Sequence, residues 1–404
     1  MTLHVGIVGA GLIGSTVALG LAELGFKVTL IEHSTPTRSR GKLGIDIRNV
    51  ALSPASKQLL DQFNVWPQED MGVYSHMQVW EHWGTGVMSF EAETSRQEAL
   101  GWVVENSALT QRLWQACNED HNIEVLQASL HAVNLQADQV EVSLQAQADV
   151  ETSHHQAVVQ THTFDLLIGA DGGRSKVRAL LDIQHNTYAV NQAALATVVR
   201  TTKPHQNTAW QRFLSDGPVA LLPSKDPHLC SVVWSQPEAL ALKRQQLEDE
   251  AFCQQLGDVV ELKLGKVEAV DQRFVFPLQQ QLAQSANPYP SVLLVGDAYR
   301  VVHPLAGLGV NLGFEDVQSL LNEAKNFMWL MGTAGHQHKA QQCWAKFARQ
   351  RQARSQLMIR VLASLQKAYA LKHPLLAWMR NVTIGGLNQS DLTKKQIVRQ
   401  ALGL

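Results

Sequence analysis

Hydrophobic residues at the start of the chain form short runs that are separated by glycine. Residues Leu3 to Val8 are an apolar run typical of a buried strand, and small apolar residues then continue to Leu24, which predicts a helix. A second strand-like run begins after Gly25 and ends at Glu32. The order of strand, glycine-rich turn, helix and strand is typical of a nucleotide-binding α/β unit.

The turn between the first strand and its helix carries Gly9, Gly11 and Gly14 in a GxGxxG pattern. The first glycine permits a tight turn, the second lets the backbone approach a pyrophosphate, and the third lets helix and strand pack closely. The helix N-terminus then directs free N–H groups at the phosphates. Glu32, 18 residues after Gly14, lies where a carboxylate can accept hydrogen bonds from a ribose. We therefore predict dinucleotide binding; the alternative is a glycine-rich turn in an unrelated α/β core.

Two later apolar runs also lead into turns that contain glycine and aspartate. The run from Phe164 to Gly169 is followed by Asp171, and the run from Ser291 to Val295 is followed by Gly296 and Asp297. A glycine-rich stretch at 307–313 then leads into a helix. Both segments resemble the first in being strands that end at a turn and continue into a helix start.

Arg48 lies between the second strand and a further predicted helix. Ser53 is the expected N-cap of that helix and Pro54 its first residue. A guanidinium at this place can pair with a pyrophosphate in a bidentate way. The alternative is an ordinary surface arginine.

The three segments together resemble the GxGxxG, DG and GD fingerprints of the group A flavoprotein aromatic hydroxylases, in the same order. Within this superfamily, the chain is most similar to the ubiquinone-biosynthesis hydroxylases. The phrases that carry this resemblance are DIRNVALSPAS (46–56), GWVVEN (101–106), GPVALLP (217–223), CSVVWS (230–235) and HPLAGLGVNLGFEDV (303–317).

The resemblance implies an α/β fold in which a Rossmann-like FAD-binding domain carries an inserted β-sheet substrate domain and a helical C-terminal region. Residues from Val73 to Phe90 and from Tyr188 to Pro277 alternate like strands, as such an insertion requires. The expected division is an FAD-binding domain of 1–72, 91–186 and 278–340, a substrate domain of 73–90 and 187–277, and a basic helical region of 341–404.

The resemblance also implies roles for single residues. Asp297 would hydrogen-bond the ribityl chain of FAD, and the backbone of Val310 and Asn311 would donate to the pyrimidine end of the flavin. Arg48 would contact the pyrophosphate, and Asp171 would belong to the loop shared by FAD and reductant. The predicted cofactor-binding residues are Gly9, Gly11, Gly14, Glu32, Arg48, Asp171, Gly296, Asp297, Gly309, Val310 and Asn311.

The implied activity is FAD-dependent hydroxylation of a phenolic ring with a polyprenyl tail, in ubiquinone biosynthesis. It would use O₂ through a flavin C4a-hydroperoxide, with NAD(P)H as the reductant. His303 is the candidate catalytic base, because it follows Gly296 and Asp297 and imidazole titrates near neutral pH. The alternative makes His303 a structural residue beside Pro304.

The chain departs from the family pattern at several positions near these motifs. Tyr299 and Arg300 stand where relatives often have alanine, histidine or glutamine, and Leu308 stands where they have glutamine. Ser107 replaces an arginine that often follows the Glu-Asn pair. These changes put substrate preference and hydroxylation efficiency in question. Two alternatives therefore stay open: another flavin oxidoreductase of this fold, and a flavin-binding accessory protein of a quinone-synthesis complex.

Composition narrows the class of protein. The 404 residues are 45% hydrophobic and 17% charged, which fits a globular chain of two to three domains. Four separated cysteines without a CxxC pair exclude a Cys-rich zinc module and favour a reducing, cytoplasmic compartment. His154 and His155 have no third ligand nearby, so we expect no metal.

Charge is distributed unevenly along the chain. The net charge of −2 argues against a nucleic-acid-binding protein. From Lys339 to Leu404, however, twelve Lys/Arg face one acidic residue, which gives +11 and leaves −13 elsewhere. Trp344, Phe347 and Leu357 recur at helical spacing in this region. We expect peripheral contact with the inner membrane, or with ubiquinone-biosynthesis proteins docked there; the alternative is a helix that packs on the FAD-binding domain.

Overall fold

The computed structural model describes residues 3–81, 87–95, 97–146, 159–302, 308–330 and 336–370. The fold is α/β, as predicted, and its strands form three sheets.

From the N-terminus to Phe164, the elements are β1 (His4–Val8), α1 (Leu12–Glu23), β2 (Lys27–Glu32), β3 (Asn49–Leu52), α2 (Pro54–Asp61), β4 (Met71–Tyr74), β5 (His76–Glu81), β6 (Val87–Glu91), a 3-10 turn (Glu93–Ser95), β7 (Gly101–Glu105), α3 (Asn106–Glu119), β8 (Ile123–Leu135), β9 (Val140–Ala146) and β10 (Val159–Phe164).

From Leu166 onward, they are β11 (Leu166–Gly169), α4 (Lys176–Leu180), β12 (His185–Thr201), β13 (Thr208–Leu214), β14 (Gly217–Pro223), β15 (Leu229–Pro237), α5 (Glu238–Gln245), α6 (Asp249–Val259), β16 (Val267–Val270), β17 (Phe274–Ala283), β18 (Val292–Leu294), a 3-10 turn (Gly296–Ala298), β19 (Arg300–Val301), α7 (Leu308–Leu330) and α8 (His336–Ala370).

The first sheet has seven strands in the order β10-β9-β8-β2-β1-β11-β18. Strand β1 runs parallel to both β2 and β11, and β18 continues the parallel part beyond β11. Val5 and Ile7 of β1 are completely buried, which explains why the strand is an unbroken apolar run rather than an alternating one. The parallel strands direct their carboxyl ends, where the three motifs begin, to one edge of the sheet.

The second sheet has nine strands, in the order β19-β17-β12-β15-β14-β13-β5-β6 with β16 paired to β12. One face forms a separate core in which Trp234 packs near Phe252 and Leu256 of α6. The third sheet is small, with the order β3-β7-β4. The domain boundaries stay a prediction; strand β17 runs across the expected division at residue 278.

Helix α8 packs on α7 through its N-terminal half. Trp344 and Phe347 are buried, and the Trp344 ring lies 6.0 Å from that of Phe327. Leu357, by contrast, is 54% exposed and lies outside the buried face that Trp344 and Phe347 share. Among the helices that the structure describes, none is long and apolar enough to span a membrane. Residues 371–404 lie outside the described part of the chain.

Candidate active site

The turn after β1 has the geometry that its glycines predict. Gly9 has φ +102°, and a Cβ there would lie 2.6 Å from the carbonyl oxygen of Ala170. A Cβ on Gly14 would lie 1.8 Å from the carbonyl oxygen of Gly9, so helix α1 can approach the turn only with glycine at this position. At Gly11, a Cβ would meet no described atom within 4 Å. Gly11 therefore borders open space at the N-terminus of α1.

Two charged residues are predicted to hold a dinucleotide at this turn. Glu32, at the end of β2, accepts a hydrogen bond at Oε2 from the backbone N–H of Ala10, over 2.8 Å. Arg48 is exposed and makes no ion pair with any residue of the described ranges. Its backbone is held, because its N–H donates to Asp46 Oδ1 over 2.9 Å and its carbonyl accepts from Asn106 over 3.0 Å. The guanidinium is thus available to an anionic ligand.

The DG motif caps a short helix. Asp171 accepts at Oδ2 from the backbone N–H groups of Lys176, over 2.6 Å, and Val177, over 3.2 Å. Its other oxygen, Oδ1, is buried without a hydrogen-bond partner in the described part of the protein. Asp171 therefore has one oxygen that stabilises the turn and one that a ligand can use.

Arg178 joins the DG and GD motifs, a role that our sequence analysis missed. Its Nη1 donates to the carbonyl oxygen of Ala298 over 2.9 Å, and its Nη2 donates to Gln281 Oε1 over 3.0 Å. Burial of the guanidinium lowers the pKa of Arg178. Arg178 follows Arg174 and Lys176 in the sequence, so nothing there distinguishes it from an ordinary surface cation.

Asp297 lies in the 3-10 turn that follows β18. Gly296 precedes it with φ +57°, and the Gly296 N–H donates to Asp316 Oδ2 over 3.0 Å. Asp297 is exposed, and the surrounding protein partly desolvates its carboxyl. This partial desolvation raises the pKa of its carboxyl above the usual range, although the nearby Arg300 charge opposes the change.

The N-terminus of α7 lies next to this turn and begins at Leu308. The first-turn N–H groups of a helix have no partner within the helix, so the start of α7, with Gly309 and Val310, is a region of backbone donors. The Asn311 side chain is engaged elsewhere: its Oδ1 accepts from the Ser53 N–H over 2.9 Å, and its Nδ2 donates to the Ala51 carbonyl over 2.8 Å. Asn311 thus holds α7 against the start of α2.

Ser53 is the N-cap of α2, as predicted, because its side chain accepts from the Ser56 N–H. Ser107 also has a structural role: its N–H donates to Asp46 Oδ2 over 2.9 Å, and its Oγ accepts from Ser39 over 3.1 Å. Together these bonds fix the segment on either side of Arg48.

Several predicted features lie outside the described residues. His303, the candidate base, and Pro304 belong to the interval 303–307, so the role of His303 stays a prediction. The His154–His155 pair belongs to the interval 147–158. Within the described ranges, no group of three or more His, Cys, Asp or Glu side chains could hold a metal ion.

All four cysteine thiols are buried and free. Burial raises the pKa of Cys117 and Cys230 to about 12 and that of Cys253 and Cys343 above the ordinary value. Thiols in such surroundings are poor nucleophiles. They offer no covalent chemistry to the site.

The second sheet turns its other face towards these motifs. Phe213 packs with Val302 and Leu312, which lie on either side of the segment leading into α7. On the same face, Val198 packs with Ile47 near Arg48. Along β14, Val219 and Leu221 are buried in the α6 core, whereas the alternate residues Pro218, Ala220 and Leu222 are half-buried. A half-buried, largely apolar surface therefore lies on the face of the second sheet that packs against the start of α7 and the segment before Arg48.

The arrangement fits FAD on four structural grounds. Gly11 leaves room for a pyrophosphate, and Arg48 presents a cation that is unpaired among the described residues. Asp171 Oδ1 is a buried acceptor without a described partner, and the first turn of α7 offers backbone donors. The fold and this site define an FAD-binding flavoprotein.

Comparison with known proteins gives the family. The profile of the FAD binding domain family matches residues 2–357. The 3-demethoxyubiquinol 3-hydroxylase of Escherichia coli is 31% identical over 99% of this chain and 98% of its own length. A ubiquinone hydroxylase of Rhodospirillum rubrum is 29% identical over 98% of this chain and 89% of its own. The chain belongs to the FAD-dependent hydroxylase family of ubiquinone biosynthesis and is a flavin monooxygenase.

A solved structure supports the fold independently. The p-nitrophenol 4-monooxygenase from Pseudomonas putida superimposes with a TM-score of 0.76 over 99% of this chain and 98% of its own. The two sequences are only 14% identical, so this similarity concerns the fold alone.

Proposed function

We propose that this enzyme uses FAD, NAD(P)H and O₂ to hydroxylate the aromatic ring of a polyprenylated phenol in ubiquinone biosynthesis. The observation that carries the proposal is the half-buried apolar face of the second sheet, which packs against the start of α7 and the segment that leads to Arg48. Similarity over almost the whole chain to the E. coli 3-demethoxyubiquinol 3-hydroxylase supports the class of substrate. When bound, FAD supplies the oxygen chemistry.

The residues of the first sheet would hold the cofactor. Gly11 and the N-terminus of α1 would receive the pyrophosphate together with Arg48, and Glu32 would accept hydrogen bonds from the ribose. Asp297 would accept from the ribityl hydroxyls. The backbone of Val310 and Asn311 would donate to the pyrimidine end, where the α7 N-terminus favours negative charge.

The second sheet would hold the substrate. Ala196, Val233 and Ala220 are in register on three neighbouring strands, so their side chains lie side by side on the face that looks towards the motifs. Small side chains leave space for a planar ring, and an apolar face excludes water from the reacting atoms. Phe213, Val302 and Leu312 would close one end of this space. His303 remains the candidate acceptor of the phenol proton.

One departure from the family pattern has a structural explanation. Arg300 is 3% exposed and its Nη1 donates to Asp316 Oδ1 over 2.9 Å, so it is a buried packing residue. Its presence therefore does not favour the accessory-protein alternative.

Product analysis tests the proposed function. The purified protein is incubated with FAD, NAD(P)H, O₂ and a prenylated phenol, and the ring product is analysed by mass spectrometry. We expect a mass increase of one oxygen that depends on the reductant, with a weaker reaction for the same phenol without its prenyl tail. Flavin reduction without any oxygenated product would contradict the proposal.

We also propose that the basic C-terminal region attaches the enzyme to the inner face of a membrane. Lys339 to Leu404 carry a net charge of +11, and a polyprenylated substrate resides in a bilayer. Each Lys or Arg near anionic headgroups contributes about 1 kcal/mol, and Leu376 and Trp378 would insert at the interface. Docking on a membrane-bound protein of the same pathway is the alternative.

Liposome flotation tests the attachment. With anionic vesicles at low salt, we expect the full chain to float and a chain truncated after Lys372 to float less, with the difference lost at high salt. Equal flotation of both chains would assign the tail to packing or to a protein partner.

A further inference from the structure

One carboxylate joins the GD motif to the C-terminal helix. Asp316, in α7, is completely buried. Its Oδ2 accepts from the backbone N–H of Gly296 over 3.0 Å. Its Oδ1 accepts from Arg300 Nη1 over 2.9 Å and from Arg351 Nε over 2.6 Å. Arg351 belongs to α8, so a helix outside the three motifs contacts the group that holds the GD turn.

The charges explain why both arginines are needed. A buried carboxylate is stable only when it is paired and hydrogen-bonded. Arg300 contributes a single nitrogen, since its Nε and Nη2 are buried without partners in the described ranges. Arg351 makes the shorter contact and is also anchored on its other side, because its Nη2 lies 3.3 Å from Glu315 Oε2. Arg351 is therefore the cation that orients the Asp316 carboxylate.

The orientation of this carboxylate determines the backbone that precedes Asp297. Gly296 adopts a left-handed conformation, with φ +57°, and its N–H has Asp316 as its partner. If Asp316 rotates, the Gly296 N–H loses its acceptor and the turn that presents Asp297 is no longer fixed. Loss of the Arg351 donor leaves a lone pair of the buried Asp316 carboxylate unsatisfied and removes one of the two cations that hold its orientation.

We propose that Arg351 is a positioning residue for FAD binding, which acts through Asp316 and Gly296 to place Asp297. This inference rests on the proposed role of Asp297 towards the ribityl chain. It makes α8 a part of the flavin-binding unit, although α8 carries none of the motifs.

Helix α8 offers a matched control in Arg354, three residues after Arg351. The Nε and Nη2 of Arg354 each lie 3.0 Å from an oxygen of Glu315, and Arg354 makes no contact with Asp316. Removing Arg354 weakens the docking of α8 on α7 but leaves the Asp316 carboxylate with both of its cations.

The experiment compares Arg351→Met with Arg354→Met. Each apoprotein is titrated with FAD by flavin fluorescence, and visible circular dichroism of the bound flavin is recorded at saturation. We expect Arg351→Met to weaken FAD affinity about 10- to 100-fold, the effect of losing a charge-assisted hydrogen bond, and to change the flavin spectrum. Arg354→Met should stay within about threefold of the parent.

Arg351→Lys covers the case in which the methionine variant does not fold. Lysine keeps the charge but has a single nitrogen, which cannot contact Asp316 and Glu315 with the arginine geometry. A native melting temperature with weakened FAD affinity supports the inference. Parent-like affinity and spectrum, or an equal loss in Arg354→Met, overturn it.

Asp297→Ala, titrated in parallel, separates this inference from the function on which it rests. If Asp297→Ala keeps its FAD affinity, the assignment of the GD motif fails. If Asp297→Ala loses affinity and the Arg351 variants do not, only the positioning role fails.

Discussion

The first and second sheets present two kinds of binding surface, and they constrain the chain in different ways. In the first sheet, the space around one atom determines which residue a position can carry. A Cβ on Gly14 would collide with the Gly9 carbonyl oxygen at 1.8 Å, and one on Gly11 would enter open space. In the second sheet, the tight position is Gly217 at the start of β14, where a Cβ would lie 2.2 Å from the carbonyl oxygen of Ser235. The residues that follow it on the proposed binding face carry ordinary side chains. Half-buried side chains such as Ala220 and Leu222 alternate with the buried Val219 and Leu221. A charged cofactor requires specific donors and turns, whereas an apolar substrate requires only a face of suitable size.

The largest effect that tests this contrast is expected at Gly11. Gly11→Val should abolish FAD binding while the protein still folds, because the residue has an extended backbone, with φ −72° and ψ −172°, and its Cβ meets no described atom. Retained flavin in the purified variant would mean that the turn does not receive the pyrophosphate. Gly14→Val is the matched control: its Cβ collides with protein backbone, so a lower melting temperature is expected as well.

Asp297 is expected to give the next largest effect. Asp297→Ala removes a charged acceptor, and a hydrogen bond to a charged group contributes about 1.5–3 kcal/mol. FAD affinity should fall by about one to two decades, as measured by fluorescence titration. The side chain is exposed, so the melting temperature of the apoprotein should change little. Unchanged FAD affinity would show that Asp297 does not contact the cofactor.

A substitution on the second sheet should separate substrate from cofactor. Ala220→Leu adds bulk to the face that looks towards the flavin motifs, where Ala220 is half-buried. We expect FAD affinity to stay the same and kcat/KM for the prenylated phenol to fall about tenfold, corresponding to about 1.4 kcal/mol of lost substrate binding. Weakened FAD binding in this variant would place Ala220 against the cofactor and would break the proposed division of roles.

The sequence predicted the parts of the site that depend on neighbouring residues. The β1-α1-β2 unit, the Ser53 cap of α2 and the turn at Gly296 all follow from local rules of backbone geometry and capping. Arg178, Asp316 and Arg351 were missed because their partners are remote: Arg178 contacts Ala298 and Gln281, and Arg351 contacts Asp316 from another helix. Buried charged pairs of this kind leave no periodic signal in a single sequence.

Leu357 shows a limit of arguments from periodicity, since apolar residues at helical spacing need not share one face of the helix. At 100° per residue, its side chain lies about 220° around α8 from Trp344, on the other side of the helix. Trp344 is 3% exposed and Leu357 is 54% exposed, in agreement with this angle. Apolar residues in α8 therefore do not form one stripe, and the buried face passes instead through Phe347 and Arg351.

The smallest expected effect is a pH dependence of FAD affinity, which should depend on Asp297 and not on the residues of the second sheet. Partial desolvation raises the pKa of Asp297 in the folded protein. A raised carboxyl pKa means that the folded protein takes up this proton at a higher pH than a free aspartate, whose pKa is about 3.9. Protonation removes the charged acceptor, so FAD affinity should weaken as the pH falls, and the weakening should begin above that value.

Asp297→Asn carries no titrating group and should bind FAD weakly at every pH, whereas Ala220→Leu should keep the parent profile. The measurement is a series of FAD titrations from neutral to mildly acidic pH, with apoprotein folding followed by far-ultraviolet circular dichroism. A parent profile with the same shape as that of Asp297→Asn would exclude Asp297 as the titrating group. In that case, the charge of Asp297 would not distinguish the cofactor surface of the first sheet from the substrate surface of the second.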